Sequence, residues 1–179
     1  MKIAIMGAMP EEIIPLLEKI GTYAEFNIGL NKYYTAKYNE HDLVIAYSKI
    51  GKVFATITAT IMIEHFKCEI LLFSGVAGGI NQELKIGDLI YAKSLVQHDL
   101  DITAFGHPYG FVPEGKVFIS TDEKLNTIAL EVSKEKNIKL KSGVIATGDQ
   151  FIHNSEKKEW IKQTFKADAI EMEGAAVAV

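Results

Sequence analysis

The chain has 179 residues, 48% of them hydrophobic and 23% charged, with a formal net charge of -4. That suits a single globular domain, residues 1–179, able to bury about two-thirds of its unfolded surface. All 19 basic residues are lysines, scattered along an acidic chain, so guanidinium clamps for phosphate are lacking and the charge pattern argues against nucleic acid as a partner. The opening run "MKIAIMGAMPEE" is too short to span a bilayer and carries acids where a signal peptide needs small residues, so a cytoplasmic protein with no membrane partner is expected. One cysteine, Cys68, forms no internal disulfide or Cys-rich metal site, and its mixed setting reads as a buried thiol.

Residues 2–6 form a short apolar strand ending at Gly7. A helix follows, with Ile13, Ile14, Leu16, Leu17 and Ile20 at helical spacing, Pro10 at its first position and Gly21 just past its end. Pro15, inside that helix, removes one backbone bond and is expected to bend the axis. "KYYTAKY" and "DLVIAYS" read as an antiparallel pair joined by "NEHD". Residues 52–66 predict a mostly buried helix, and "EILLFSG" a central strand covered on both faces. "GDLIYAKSLVQHD" is a further strand, longer than most. "STDEKLNTIALEVSKEKN" predicts a helix with Ser120 and Glu123 at capping-box spacing. "SGVIATG" is a strand, "SEKKEWIKQTF" a surface helix, and "DAIEM" a last short strand before a helix near Glu173. Strands interleaved with helices indicate a layered α/β domain with a mixed sheet.

Several stretches carry residues suited to chemistry. "GAMPEE" places Met9, Glu11 and Glu12 at the carboxyl end of a strand, where open α/β sheets bind ligands, although acids in a first helical turn also complement the helix dipole. "FSGVAGGI" lacks the spacing of a dinucleotide loop and reads either as a loop that lets a small ligand approach the backbone or as a tight turn. His98, Asp99, Asp101 and His107 lie close in sequence, but His98 and Asp101 point to opposite faces of a strand, which argues against a metal. The segment with Phe105, Pro108, Tyr109, Phe111 and Pro113 reads as an apolar loop of the kind another subunit covers. Phe151 and Ile152 follow a strand, where an aromatic either stacks on a planar base or packs in the core. Glu171 and Glu173 sit beside apolar sequence and need partners, whether ribose hydroxyls, a backbone turn or a lysine.

Taken together, "MKIAIMGAMPEE", "SKIGKV", "SGVAGG", "HDLDITAFG", "TGDQFI" and "EMEGAA" resemble the bacterial 5'-methylthioadenosine/S-adenosylhomocysteine nucleosidases, within the nucleoside phosphorylase superfamily. The likeness runs from Lys2 to Val179, in the family's order and spacing. It implies a homodimer of three-layer α/β/α sandwiches with a central mixed sheet. It also implies hydrolysis of the N-glycosidic bond of methylthioadenosine, adenosylhomocysteine and related 5'-substituted adenosines without metal or cofactor, as in methionine salvage. Some members act on 6-amino-6-deoxyfutalosine in menaquinone biosynthesis. By resemblance, Glu12 is the base that prepares the attacking water, with Met9 near the reacting centre. Glu173 holds the ribose hydroxyls with Met172 packed on the sugar, Phe151 stacks on adenine and the Ile152 backbone reads its edge. Val76, Ala77 and Gly78 line the ligand, Ile50 touches the 5' substituent, and Ile102, Phe105 and Pro113 reach in from the partner subunit. Glu171 receives no role.

Two departures from the family pattern stand out. Val76 replaces a serine common among relatives. The family also continues past residue 179 through a strand ending in a Ser-Asp pair whose aspartate protonates the departing adenine. "GAAVAV" opens an apolar helix with no finishing signal, so a chain truncated at its C-terminus is expected, and 179 residues alone are expected to show negligible activity. A phosphorylase and a catalytically inactive nucleoside-binding fragment are the alternatives; the lack of arginine argues against the phosphate cradle of the first.

Overall fold

The structure is a computed structural model that describes residues 1–179. Its contacts divide the chain into two compact units, residues 1–76 and 77–179.

In the first unit, β1 (Lys2–Gly7) and β4 (His41–Tyr47) are apolar on both faces, so helices cover both. Ile3 and Ile5 of β1 and Leu43 and Ile45 of β4 pack with Ile13 and Leu17 of α1 (Pro10–Ile20). Alternation sends Ala4, Met6, Val44 and Ala46 to the opposite face, where all four are buried. There α2 (Lys52–Glu64), whose inward residues are Ala55, Thr58, Ala59 and Met62, contacts the same two strands. The result is a helix–sheet–helix sandwich. The sheet order is β2 (Ala24–Ile28), β3 (Asn31–Tyr38), β4, β1 and β5 (Ile70–Phe73). β1 runs parallel to β4 and β5, whereas β2, β3 and β4 form an antiparallel meander. The carboxyl ends of β4, β1 and β5 are therefore neighbours, which sets up the site described below. Cys68, buried beyond α2, has its thiol pKa pushed up by desolvation, consistent with an inert thiol.

The second unit carries the sheet order β6 (Gly78–Gly79), β10 (Ala169–Glu171), β9 (Leu140–Thr147), β7 (Leu89–Gln97), β8 (Ile119–Ser120). Its three central strands are parallel and its two edge strands antiparallel. β7 pairs β9 with a one-residue slip between Ala92 and Ser94. The core joins Val96, Val144, Ala146 and Ile170 of the sheet to Ile161 and Phe165 of α4 (Ser155–Phe165), so one stripe of the expected surface helix is fully buried. Gly110, at φ +75°, closes the long loop after β7 against this core: a Cβ there would stand 3.0 Å from both Phe165 and Val96.

Three expectations need correction, and one strand was not expected. The helix α3 (Glu123–Glu135) is capped by Asp122, not Ser120. Ser120 is committed to β8, paired with Ser94, while the Asp122 carboxylate accepts from the Leu125 N–H at 2.9 Å. The turn between β3 and β4 spans only Asn39 and Glu40, with Asn39 at φ +52°, because His41 and Asp42 belong to β4. β5 is the edge strand of its sheet, with no residue fully buried and Leu72 40% exposed, so neither a central position nor cover on both faces follows from its apolar run. β2 escaped detection because four of its five residues are exposed and it shows no alternation. Pro15 leaves α1 one uninterrupted element.

Replacing Asp122 with alanine is expected to lower stability by about 1 kcal/mol, and Ser120→Ala to change it by less than about 0.5 kcal/mol, both measured by urea denaturation. Equal losses would contradict this assignment of the cap.

Candidate active site

The first unit builds its candidate site around Glu12. Pro10 presets the first turn of α1, which begins directly after β1, and places Glu12 at the third helical position. From there its carboxylate reaches back over the helix start. Oε2 accepts from the Ala8 N–H at 2.6 Å and from the Met9 N–H at 3.0 Å. Oε1 accepts from the Val76 N–H at 3.0 Å, across the parallel neighbour β5. All three donors are main chain, so no side chain near Glu12 has to supply them. Met9 is the half-buried residue that precedes the helix.

Two glycines leave room for this arrangement. A Cβ on Gly75 would lie 2.6 Å from Glu12 Oε1, and one on Gly7 would lie 2.9 Å from Glu12 Cβ and 3.0 Å from Oε2. The loop that carries Gly75, open in sequence to a ligand or a tight turn, admits the Glu12 carboxylate at this residue. β4 ends at the same edge, where the Ser48 and Lys49 N–H groups donate to Gly7 and Ala8 carbonyls at 2.8 and 2.9 Å. Ile50, 55% exposed, follows at the start of α2. The structure thus brings Met9, Glu12, Ile50 and Val76 to one sheet edge, with Val76 contributing its backbone and leaving its side chain 75% exposed.

In the second unit, the carboxyl ends of β9 and β10 lie side by side, with Thr147 opposite Glu171. Gly78 pairs with Ile170, where a Cβ would meet only the Ile170 carbonyl at 3.8 Å, and Ala77 precedes it. After β9, Phe151 is 81% exposed and lines an open groove of about 570 Å³ with Ile152, Asn154, Lys157 and Trp160. Ile152 also packs against the core. Met172 is half-buried and Glu173 only 5% exposed, at the residue that opens α5 (Gly174–Ala178).

Glu171, for which sequence reasoning found no role, turns out to be an organiser. Its Oε2 accepts from the Glu173 and Gly174 N–H groups at 2.8 and 2.6 Å. Its Oε1 accepts from the Thr147 hydroxyl, and the Thr147 oxygen accepts from the Ala175 N–H at 2.8 Å. The strand ends at Glu171, so Glu171 and Glu173 do not share a strand face. A backbone turn is among the partners that the sequence leaves open for these acids, and for Glu171 it is the one found: the amides that open α5.

The remaining candidates lie on the loop after β7. Asp101 accepts from both the N–H and the hydroxyl of Thr103, at 2.9 and 2.7 Å, and these bonds hold its carboxyl below the usual range. Asp99 accepts from the Asp149 N–H at 2.8 Å. Asp101 thus fixes a turn, whereas Asp99 ties this loop to the one after β9. Ile102 is half-buried, whereas Phe105, 81% exposed, and Pro113 project from the loop, which Tyr109 anchors edge-on against Trp160 at 5.4 Å.

Comparison with known proteins bears on the family and the fold. The phosphorylase superfamily profile matches residues 2–179. An aminodeoxyfutalosine nucleosidase from Campylobacter jejuni is 62% identical over all of this chain and 78% of its own length. One from Helicobacter pylori is 53% identical over 99% of this chain and 77% of its own. A crystal structure of the Campylobacter jejuni 5'-methylthioadenosine/S-adenosylhomocysteine nucleosidase superposes with a TM-score of 0.98 at 62% identity, covering 99% of this chain and 78% of that one. With its α/β fold of mixed sheets and helices, the chain belongs to the phosphorylase superfamily, among its methylthioadenosine/adenosylhomocysteine and aminodeoxyfutalosine nucleosidases.

Proposed function

We propose that this chain hydrolyses the N-glycosidic bond of 5'-substituted adenosines, including methylthioadenosine, adenosylhomocysteine and 6-amino-6-deoxyfutalosine, and releases adenine. The observation that carries the reading is the Glu12 carboxylate, held at the carboxyl edge of a parallel sheet by three main-chain donors. A carboxylate offers about four lone-pair directions. Three are taken, two on Oε2 and one on Oε1, which leaves Oε1 able to accept a proton from an attacking water. Departure of adenine leaves an oxocarbenium-like sugar, and a base fixed in advance acts on charge that develops only in the transition state.

On this reading Met9 lies near the anomeric carbon, and Val76, Ala77 and Gly78 line the ligand. Glu173 holds the ribose hydroxyls with Met172 against the sugar, Phe151 stacks on adenine, and the Ile152 backbone reads the base edge. Ile50 meets the 5' substituent. The exposed Phe105, with Ile102 and Pro113, completes the site of a partner copy, so the working form is a homodimer of single nucleosidase domains in the cytoplasm. No helix is long and apolar enough to cross a membrane. No metal or cofactor is required. The family resemblance assigns proton delivery to the departing base to an aspartate that is not among residues 1–179.

Adenine release from methylthioadenosine, assayed with and without phosphate in protein that carries the leaving-group aspartate, tests the reaction: phosphate-independent release is expected, and strict phosphate dependence would overturn it. Glu12→Gln is expected to lower release at least about 10²-fold with nucleoside affinity nearly unchanged, as titration calorimetry would show; near-normal turnover would exclude Glu12 as the base. Gly75→Ala, by displacing Oε1, is expected to cost about 10²-fold in turnover, although residue 75 bears no functional group. An unchanged rate would mean that the position of Glu12 does not matter.

A further inference from the structure

Three successive peptide N–H groups open α5, those of Glu173, Gly174 and Ala175. All three are captured by a two-residue device: Glu171 takes the first two through one oxygen, and Thr147 takes the third. The devices are joined, because the Thr147 hydroxyl donates to the other oxygen of Glu171. Thr147 is fully buried and stands opposite Glu171 in the parallel β9–β10 pair, where the Gly148 N–H also donates to the Glu171 carbonyl at 3.2 Å. Gly174 has no room to move inward: a Cβ there would lie 2.8 Å from Leu95 and 3.3 Å from each oxygen of Glu171. The peptide of Glu173 is consequently fixed on two sides.

The first turn of α5 is buried at Gly174 and Ala175, so its donors have to be paired within the protein. A cap on an exposed first turn satisfies one donor, or two in a capping box. Here a carboxylate, a buried hydroxyl and the strand register converge on the residue whose side chain, on the function proposed above, grips the ribose. The geometry points to Glu171 and Thr147 as a positioning pair: they touch no substrate, and they set the aim of the Glu173 carboxylate, hence the preference for a ligand with intact ribose hydroxyls.

This inference rests on that function, so the test separates the two. The probes are methylthioadenosine and its 2',3'-dideoxy counterpart, titrated calorimetrically into the full chain and its variants, all on a Glu12→Gln background that suppresses hydrolysis, each checked by thermal melting. The chain with Glu12→Gln alone is expected to prefer the ribose form; no preference would overturn the nucleosidase reading and this inference with it. Thr147→Val removes the hydroxyl at constant shape. It is expected to weaken methylthioadenosine about tenfold, the loss of hydrogen bonding to a charged group, while leaving the dideoxy compound within about twofold. Thr147→Ser is expected to restore the preference. Should Thr147→Val fail to fold, Glu171→Gln, which places an amide donor against the Thr147 hydroxyl, carries the test with the same expected loss. A preference kept in the folded variant, or both ligands weakened equally, would show Glu171 and Thr147 to be merely structural.

Discussion

A half-buried carboxylate has to be given donors, and around Glu12 the chain gives it only main chain. The Ala8, Met9 and Val76 N–H groups converge because β1 and β5 are parallel neighbours that end at the same level, each followed by a turn. Neither turn tolerates a side chain at its glycine. Much of the first unit follows from that constraint. The short β1–α1 connection, the proline that starts the helix and the buried contact between Ile13 and the strands all serve to hold a helix N-terminus against the sheet edge. Because the donors are peptide groups, they lose no rotamer freedom when a ligand arrives, and their orientation is settled when the sheet forms.

The second unit solves a related problem with side chains. At the end of β10 the donors are again peptide N–H groups, but their acceptors are Glu171 and Thr147, contributed by two adjacent strands. Both units therefore pair an acid with the exposed amides of a helix start, where the macrodipole favours negative charge. In the first the acid lies inside the helix and reaches back; in the second it precedes the helix and reaches forward.

Much of this was legible in sequence. The buried helix after residue 52, the strand end at Gly7 and the edges carrying Glu12 and Phe151 follow from period and punctuation, and the motifs carry the family. What escaped has definite causes. β2 is held by its ladder to β3 rather than by an apolar face, so it leaves no pattern. The cap of α3 was misplaced by two residues because Ser120 and Asp122 are both good caps, and only the pairing of β8 decides between them. In sequence Glu171 is open to ribose hydroxyls, a backbone turn or a lysine, and only the fold selects the amides of its own chain and the Thr147 hydroxyl.

The slip in β7 has a consequence for how the strand can be read at all. Lys93 has no opposite number on β9: Ala92 faces Gly143 and Ser94 faces Val144. Before the extra residue Tyr91 shares a face with Ser142; after it Val96 shares that same face with Ala146, inside the core. Odd and even positions exchange faces at Lys93, and without the exchange Val96 would stand on the opposite side of the sheet, with the buried His98 following it. Lys93 thus acts as a parity switch, a residue whose presence counts more than its identity.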